Sequence, residues 1–501
     1  MSLTQLVTRA QLGIDAFEVR VEVHISNGLP AFTVVGLPET AVREARDRVR
    51  SAIQNSGFQF PMRRITVNLA PADLPKTGGR FDLPIALGIL AASEQVEAAS
   101  LESVACFGEL ALSGTCRRVD GLLPALMACK QAGQPVIIPR RNEAEASLLR
   151  DLPIRLADSL AEICNSLNGG ASLRAPCPVE TDSPPARDAD LSEIYGQHRA
   201  RRALEIAAAG SHHMLMMGPP GTGKSMLAQR LVSILPPMSE DEAMCSASIR
   251  SICGQPVNLQ NWRMRPFQSP HHTVSGIALV GGGSYPKPGE ISLAHNGVLF
   301  LDELAEFDRR TVEVLREPLE NGRIHISRAA GKAEFPARFQ LIAAMNPCPG
   351  GCESIEDCEC SPELLNRYRS KISAPLLDRI DIQIELGRLE QQQLLKLKGK
   401  PVETSATVRK RVQYARERQA ERQGCLNGHL DNRELERVCR LETQIEARLA
   451  GAVDKLRLSA RSYHKLLKLA RSIADLGDCR NIEENHIAEA VSYRQLDRRR
   501  A

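Results

Sequence analysis

The chain has 501 residues, of which 43% are hydrophobic and 25% charged, with a net charge of +4. That balance describes an ordinary soluble globular protein of two to four domains, each able to bury its own core. No run of eighteen apolar residues exists, and "MSLTQLVTRAQLG" lacks a basic cluster ahead of an apolar block. Neither a membrane span nor a secretory signal is therefore expected, and the 14 cysteines read as reduced thiols of a cytoplasmic protein.

Residues 1–167 alternate strand-like and helix-like pieces. "FEVRVEVHIS" has the period-two pattern of a half-buried strand, and "RITVNLAP" and "PVIIP" also read as strands. "ETAVREARDRVRSAIQNSG" has helical periodicity and ends on a stop signal, Asn55-Ser56-Gly57. Residues 168–189, rich in Gly, Pro, Ser and Asp, read as an interdomain linker. From 190 to 390 the runs "HMLMMG", "GVLFLDE" and "FQLIAAMNP" are continuous and apolar, as in strands buried on both faces of a parallel α/β sheet. Residues 391–501 read as helical. Residues 402–501 carry 21 Lys and Arg against 15 Asp and Glu, which suits a polyanion partner or a solvated helical surface.

Three segments carry chemistry. "GPPGTGKS", Gly218 to Ser225, fits the phosphate-loop pattern between a strand and a helix. Gly218, Pro219, Pro220, Gly221, Thr222 and Gly223 form the loop whose N–H groups surround phosphate oxygens, and Met226 follows on the helix. Lys224 should reach the β- and γ-phosphates of ATP, and Ser225 should ligate Mg²⁺. "VLFLDE" places Asp302 and Glu303 at a strand's C-terminal end, where open α/β sheets bind ligands. Asp302 is expected to bind Mg²⁺ through water and Glu303 to polarise the attacking water. "LIAAMN" ends in Asn346, able to orient that water or simply to cap the strand.

These pieces, in this order, resemble the AAA+ ATPases over residues 190–501. "GVLFLDELAEFDRRTVEVLREPLENGRIHISRA" and "FPARFQLIAAMNPCP" look like the magnesium-chelatase-like branch that includes the YifB/ComM proteins. "IYGQHRARRALEIAAAG" is similar to that family's entry to the nucleotide site, which implies Tyr195, Gly196 and Gln197 near the adenine. In "SAPLLDRIDI", the resemblance makes Arg379 an arginine finger on the γ-phosphate held by a neighbouring subunit; a local ion pair with Asp378 or Asp381 is the plainer reading. The finger implies a ring, and the family implies a homohexamer. In "LSARSYHKLL" the resemblance makes Arg461 a nucleotide-sensing arginine that touches the nucleotide from the helical lid.

Lys224 and Asp302 lie 78 residues apart, so extra structure is expected between them. "FQSPHHTVSGIALVGGGSYPKPGE" looks like the family's insert in the second helix, with His271 and His272 read as polar residues of it, or alternatively as metal ligands. "RIHISRAAGKAEF" reads as a hairpin, and in related ring ATPases such hairpins grip nucleic acid in a central channel. The resemblance thus implies DNA contacts from Arg328 and Lys332; an ordinary solvated turn is the alternative. "CPGGCESIEDCEC" gathers Cys348, Cys352, Cys358 and Cys360, which suit either a Zn²⁺ site or four free thiols on a loop.

The front segment resembles the Lon-protease fold, of the ribosomal S5 domain 2-like α+β type, through "LPKTGGRFDLPIALGIL" and "FGELALSGTCRRVDGLLPALMACKQAGQPVIIP". Aligned on that family's motifs, Arg80 replaces the serine nucleophile and Leu123 the lysine base, so proteolysis is not expected. Lys76 and Arg80 are left as candidates for an anion site. The expected fold is then α/β: a Lon-like front domain, an AAA+ parallel-sheet core and a helical lid. The family implies an ATP-driven DNA motor, a helicase promoting branch migration when single-stranded DNA recombines during natural transformation. A chelatase- or MoxR-like protein-remodelling chaperone is the alternative.

Overall fold

The computed structural model describes residues 2–37, 42, 44–177, 189–283, 285–328, 331–352, 358–388, 402–455 and 459–494. The first sheet has seven strands, in the order Ala31–Val35, Arg64–Ala70, Asp15–Ser26, Ser2–Leu12, Ala105–Cys106, Val136–Pro139 and Ile154–Ala157. Ser2–Leu12 and Asp15–Ser26 pair antiparallel from Ser2↔Ile25 to Leu12↔Asp15. Alternation sends Val19, Val21, Val23 and Ile25 inward, where they are at most 4% exposed. The helix Asp82–Ala92 is apolar on every side after its first residue, and all eleven residues are buried. It rides so close to the hairpin that a Cβ on Gly88 would stand 2.6 Å from Val23 Cγ2.

This unit extends past Leu167. Leu173 is buried in its core and Leu156 donates its N–H to the Arg174 carbonyl at 2.8 Å, so the first residues expected as linker belong to the unit instead. Residues 178–188 lie outside the described residues. Lys76 and Arg80 both turn inward rather than outward. Arg80 donates to Gln11 Oε1 at 3.0 Å and to the Asp120 carbonyl at 2.7 Å, and Lys76 caps the Pro71 carbonyl. Burial accounts for the lowering of the Arg80 pKa to about 10, opposed by Asp120. Both cations are thus held by internal contacts rather than displayed on a surface loop.

The second sheet is all parallel, in the order Phe267–Gln268, Val298–Leu301, Gln340–Met345, Met214–Met217 and Ile382–Glu385. Its three apolar inner strands are buried along their whole length, as their unbroken hydrophobic runs require. Behind it stand the helices Ser405–Gln423, Asn432–Val438, Thr443–Lys455, Ala460–Leu476 and Glu484–Ser492. Among the described residues no helix is long and apolar enough to cross a membrane.

The two sheets do not belong to units joined by a tether alone. The helix Leu122–Ala132 packs on the helix Glu240–Ile252, and Leu122, Leu123 and Leu126 share one core with Met244, Ala247 and Trp262. Ser251 reinforces the contact: its carbonyl accepts the Gly121 N–H at 2.8 Å and its hydroxyl reaches Glu145 at 3.2 Å. Leu123, at the position where a protease would need its lysine, is a buried packing residue of this seam.

Candidate functional site

The phosphate loop leaves the strand Met214–Met217 and enters the helix Lys224–Ile234. Gly221 and Gly223 hold φ of +82° and +84°, the left-handed region where glycine is unstrained. Gly218 must also be glycine, because a Cβ there would meet the Leu386 carbonyl at 2.6 Å. Thr222 Oγ1 ties the loop back to the Pro219 carbonyl at 2.9 Å. Lys224 is 9% exposed and donates to the Gly218 and Pro219 carbonyls at 2.6 and 3.0 Å and to Asn346 Oδ1 at 3.1 Å. Burial lowers its pKa, and Asp302 and Glu303 oppose that shift.

Asp302 and Glu303 follow the buried strand Val298–Leu301. Ser225 Oγ donates to Asp302 Oδ2 at 2.5 Å. A hydroxyl and a carboxylate so close form the hard-oxygen donor pair that suits Mg²⁺. The family implies ATP and Mg²⁺, and this geometry fits both. Glu303 sits at φ +52° and ψ +47°, a conformation that costs a non-glycine residue on the order of 1–3 kcal/mol and recurs at functional sites. Its Oε2 lies 3.5 Å from Nδ1 of His272.

Tyr195 is exposed and Gln197 adopts φ +46° and donates to the Gly387 carbonyl at 3.0 Å, beside the Leu386 backbone that abuts Gly218. Met226 is exposed on the helix. The structure therefore gathers Gln197, the loop, Ser225, Asp302, Glu303 and Asn346 at one sheet edge.

Arg379 and Arg461 lie elsewhere. Arg379 precedes the strand Ile382–Glu385, and Asp381 donates its N–H to the His213 carbonyl at 3.0 Å, ahead of the strand Met214–Met217. This is the opposite edge, about 13 Å away across four strand residues. Arg379 is 7% exposed and donates to Glu320 Oε1 at 2.5 Å and to the Pro375 carbonyl at 2.6 Å. Glu320, not Asp378 or Asp381, is its acidic partner.

Arg461 does not overlie its own subunit's loop, as a lid arginine touching that nucleotide would. It donates to the same Glu320 oxygen at 2.5 Å. The cause is the seat of its helix, Ala460–Leu476, on the same far edge. Ser472 Oγ meets His212 Nε2 at 2.7 Å and Lys465 Nζ meets Asp381 Oδ1 at 3.0 Å. Burial would raise the Asp381 carboxyl, but Lys465 and the two histidines hold it far below the usual carboxylate range. Donation from Arg461 likewise holds the Glu320 carboxyl below its usual range. The two arginines border a 1120 Å³ groove at the protein surface.

The expected hairpin is present, with Arg323–Arg328 paired antiparallel to Gly331–Pro336 and Arg328 and Lys332 exposed near its end. Ala329 and Ala330 lie outside the described residues. The insert contributes a second short pair, Gly281–Gly282 with Lys287–Pro288. The two touch, since a Cβ on Gly281 would stand 3.0 Å from Ile326 Cδ1, and Lys287 adds an exposed cation that sequence reasoning missed. His271 bonds Thr273 Oγ1 at 2.9 Å. The four thiols of Cys348, Cys352, Cys358 and Cys360 converge within 4.8 Å of one another.

Glu320 and Tyr368 were also missed. Tyr368 donates to the Asn346 carbonyl at 3.3 Å and Glu320 lies 59 and 141 residues from its arginines, so no local pattern marks either.

Comparison with known proteins shows the family. Three family models match in succession: subunit ChlI of magnesium chelatase over residues 21–142, magnesium chelatase subunit ChlI over 190–394 and its C-terminal model over 402–494. An uncharacterized protein YifB of Salmonella typhimurium is 51% identical over 498 residues, covering 99% of this chain and 98% of the relative. Competence protein ComM of Haemophilus influenzae is 50% identical over 502 residues, covering 99% and 98%. The magnesium-chelatase 38 kDa subunit of Acidiphilium rubrum is 28% identical over 221 residues, covering 40% of this chain and 62% of that one. With half its residues shared from end to end, the chain belongs to the YifB/ComM family of magnesium-chelatase-like AAA+ proteins.

Proposed function

We propose that this chain is an ATP-driven motor that works on DNA as a ring, promoting branch migration during the recombination of natural transformation. One observation carries the ring: Arg379 and Arg461 converge on one carboxylate at the sheet edge opposite their own phosphate loop. A head-to-tail neighbour lays that edge against the next subunit's loop, and a contact of this kind closes by rotation. The γ-phosphate then replaces Glu320 as the partner of both guanidinium groups, which neutralise charge that builds in the transition state.

Within each subunit Lys224 and the loop N–H groups hold the β- and γ-phosphates. Ser225 and Asp302 are the residues that would hold Mg²⁺, which when bound neutralises phosphate charge. Glu303 takes up proton density from the attacking water, and Asn346, fixed by Tyr368 and Lys224, aligns that water. DNA is supported by the competence relative at 50% identity and by the exposed cations Lys287, Arg328 and Lys332 on adjoining hairpins. Labelled branched DNA tests the reading: wild type should migrate the branch with ATP and Lys224→Ala should not. ATPase stimulated by a protein partner but indifferent to forked DNA would overturn it in favour of a remodelling chaperone.

A further inference from the structure

We propose that Cys348, Cys352, Cys358 and Cys360 form a tetrathiolate Zn²⁺ site that braces the phosphate loop. The proposal rests on the loop's geometry and not on the choice of DNA as partner. The four Sγ atoms lie within 4.8 Å of one another. Zn–S bonds of about 2.3 Å place tetrahedral thiolates ~3.8 Å apart, so small side-chain rotations complete the site. In an iron–sulfur cluster the four thiolates are shared among two or more irons, and those on different irons stand further apart, so four thiols all this close fit a single ion. Soft thiolate ligands in a tetrahedral set select zinc over the hard cations.

The backbone is built around the thiols. Gly350 lies among them: a Cβ there would stand 3.0 Å from Cys360 Sγ, 3.6 Å from Cys352 Sγ and 3.9 Å from Cys348 Sγ. The Cys352 N–H donates to Cys348 Sγ at 3.2 Å, a contact that stabilises a thiolate. Gly351 takes φ +67°, and its Cβ position faces Pro220 Cγ and Cδ at 3.3 Å. The same short segment therefore touches the phosphate loop at one end and, through Cys348, follows Asn346 by two residues at the other.

The remaining thiols show the contrast. Cys106, Cys116, Cys164 and Cys439 are buried in apolar cores, and burial pushes each up to about 12, the behaviour of packing residues. Among the described residues, these four ligands are the one all-thiol group able to hold a metal. Metal binding converts the thiols to thiolates and releases their protons to solvent. The ion then ties Cys348, two residues after Asn346, to Cys360, two residues before the helix Pro362–Ser370 that carries Tyr368.

Elemental analysis of full-length protein, purified under reduction without added metal, should find about one zinc per chain. Replacement by Co²⁺ should give the visible absorption of a tetrahedral tetrathiolate. Cys358→Ser with Cys360→Ser should abolish both signals, whereas Cys177→Ser, outside the cluster, should keep them. Gly350→Val should weaken zinc binding by about ten- to a hundredfold, the range seen when groups around a metal's ligands are altered. Stripping zinc from wild type with a chelator should speed amide exchange of the phosphate loop, and restoring Zn²⁺ should reverse it, a comparison that needs no variant to fold. Protein that folds with negligible zinc, or with iron in its place, overturns the site. Zinc that is present but leaves phosphate-loop exchange unchanged overturns the bracing.

Discussion

Arg379 and Arg461, 82 positions apart in the chain, donate to the same oxygen of Glu320 at 2.5 Å each. Two guanidinium groups on one carboxylate oxygen repel one another, and burial with Arg461 lowers the Arg379 pKa. Such a pair suits a larger anion, and in the proposed ring a triphosphate from the adjoining subunit takes that place. Arg379→Ala and Arg461→Ala should each bind ATP near the wild-type level and lose about 10³-fold or more in turnover, as removal of an arginine finger does. Arg379→Lys should not restore turnover, because a lysine lacks the planar fork. Steady-state ATPase rates beside fluorescent-nucleotide binding measure both.

Glu303→Gln separates binding from chemistry. The substitution keeps the side chain's size and removes its basicity, so ATP binding should persist while turnover drops by about 10²-fold or more. Lys224→Ala should lose nucleotide binding itself, since the buried ammonium organises two loop carbonyls and Asn346. Equal losses of binding in both variants would contradict this division of labour.

Acid should weaken the fold through two histidines. His213 Nδ1 accepts the Leu341 N–H at 3.1 Å and His295 Nδ1 accepts the Arg338 N–H at 3.0 Å, so both must be neutral. Burial lowers each to about 4. Above pH 6.5 folded and unfolded chains are both unprotonated at these rings, and their contribution is complete. Between pH 6.5 and 4 the unfolded chain takes up protons that the folded one refuses. Stability should fall there by about 1.4 kcal/mol per histidine per pH unit. Urea midpoints at pH 7.5, 6 and 5 should decline in that order; a flat series contradicts the assignment.

Much of the site was legible because it is local. The loop glycines, Lys224 and Ser225 lie within eight residues, and a buried strand ending in Asp302 and Glu303 advertises itself by its apolar run. The parallel core followed from the same runs. What was not legible depends on chain-distant packing. Glu320 looks like any helix glutamate until Arg379 and Arg461 meet it, and the position of Arg461 is set by where His212 and Asp381 seat its helix. The seam between the two sheets was hidden likewise. Met244, Ala247 and Trp262 pack with Leu122, Leu123 and Leu126 across that boundary, and no local pattern marks them for it.

The hairpin cations should act through phosphate charge. Arg328→Ala with Lys332→Ala should weaken DNA binding equally on unrelated sequences and flatten its salt dependence by about one unit of slope for each phosphate no longer neutralised. Titrations at several salt concentrations read this directly. An unchanged slope would return both residues to the role of a solvated turn.

Hydrolysis across the proposed subunit boundary is tested most directly by mixing two inactive proteins. Lys224→Ala lacks a working phosphate loop and Arg379→Ala lacks the arginine, yet each retains what the other needs. In mixed rings an intact loop meets an intact arginine at roughly one interface in four, so ATPase should recover to on the order of a quarter of wild type. A mixture no more active than its two components, or an Arg379→Ala protein that hydrolyses at the full rate alone, would contradict hydrolysis across the subunit boundary.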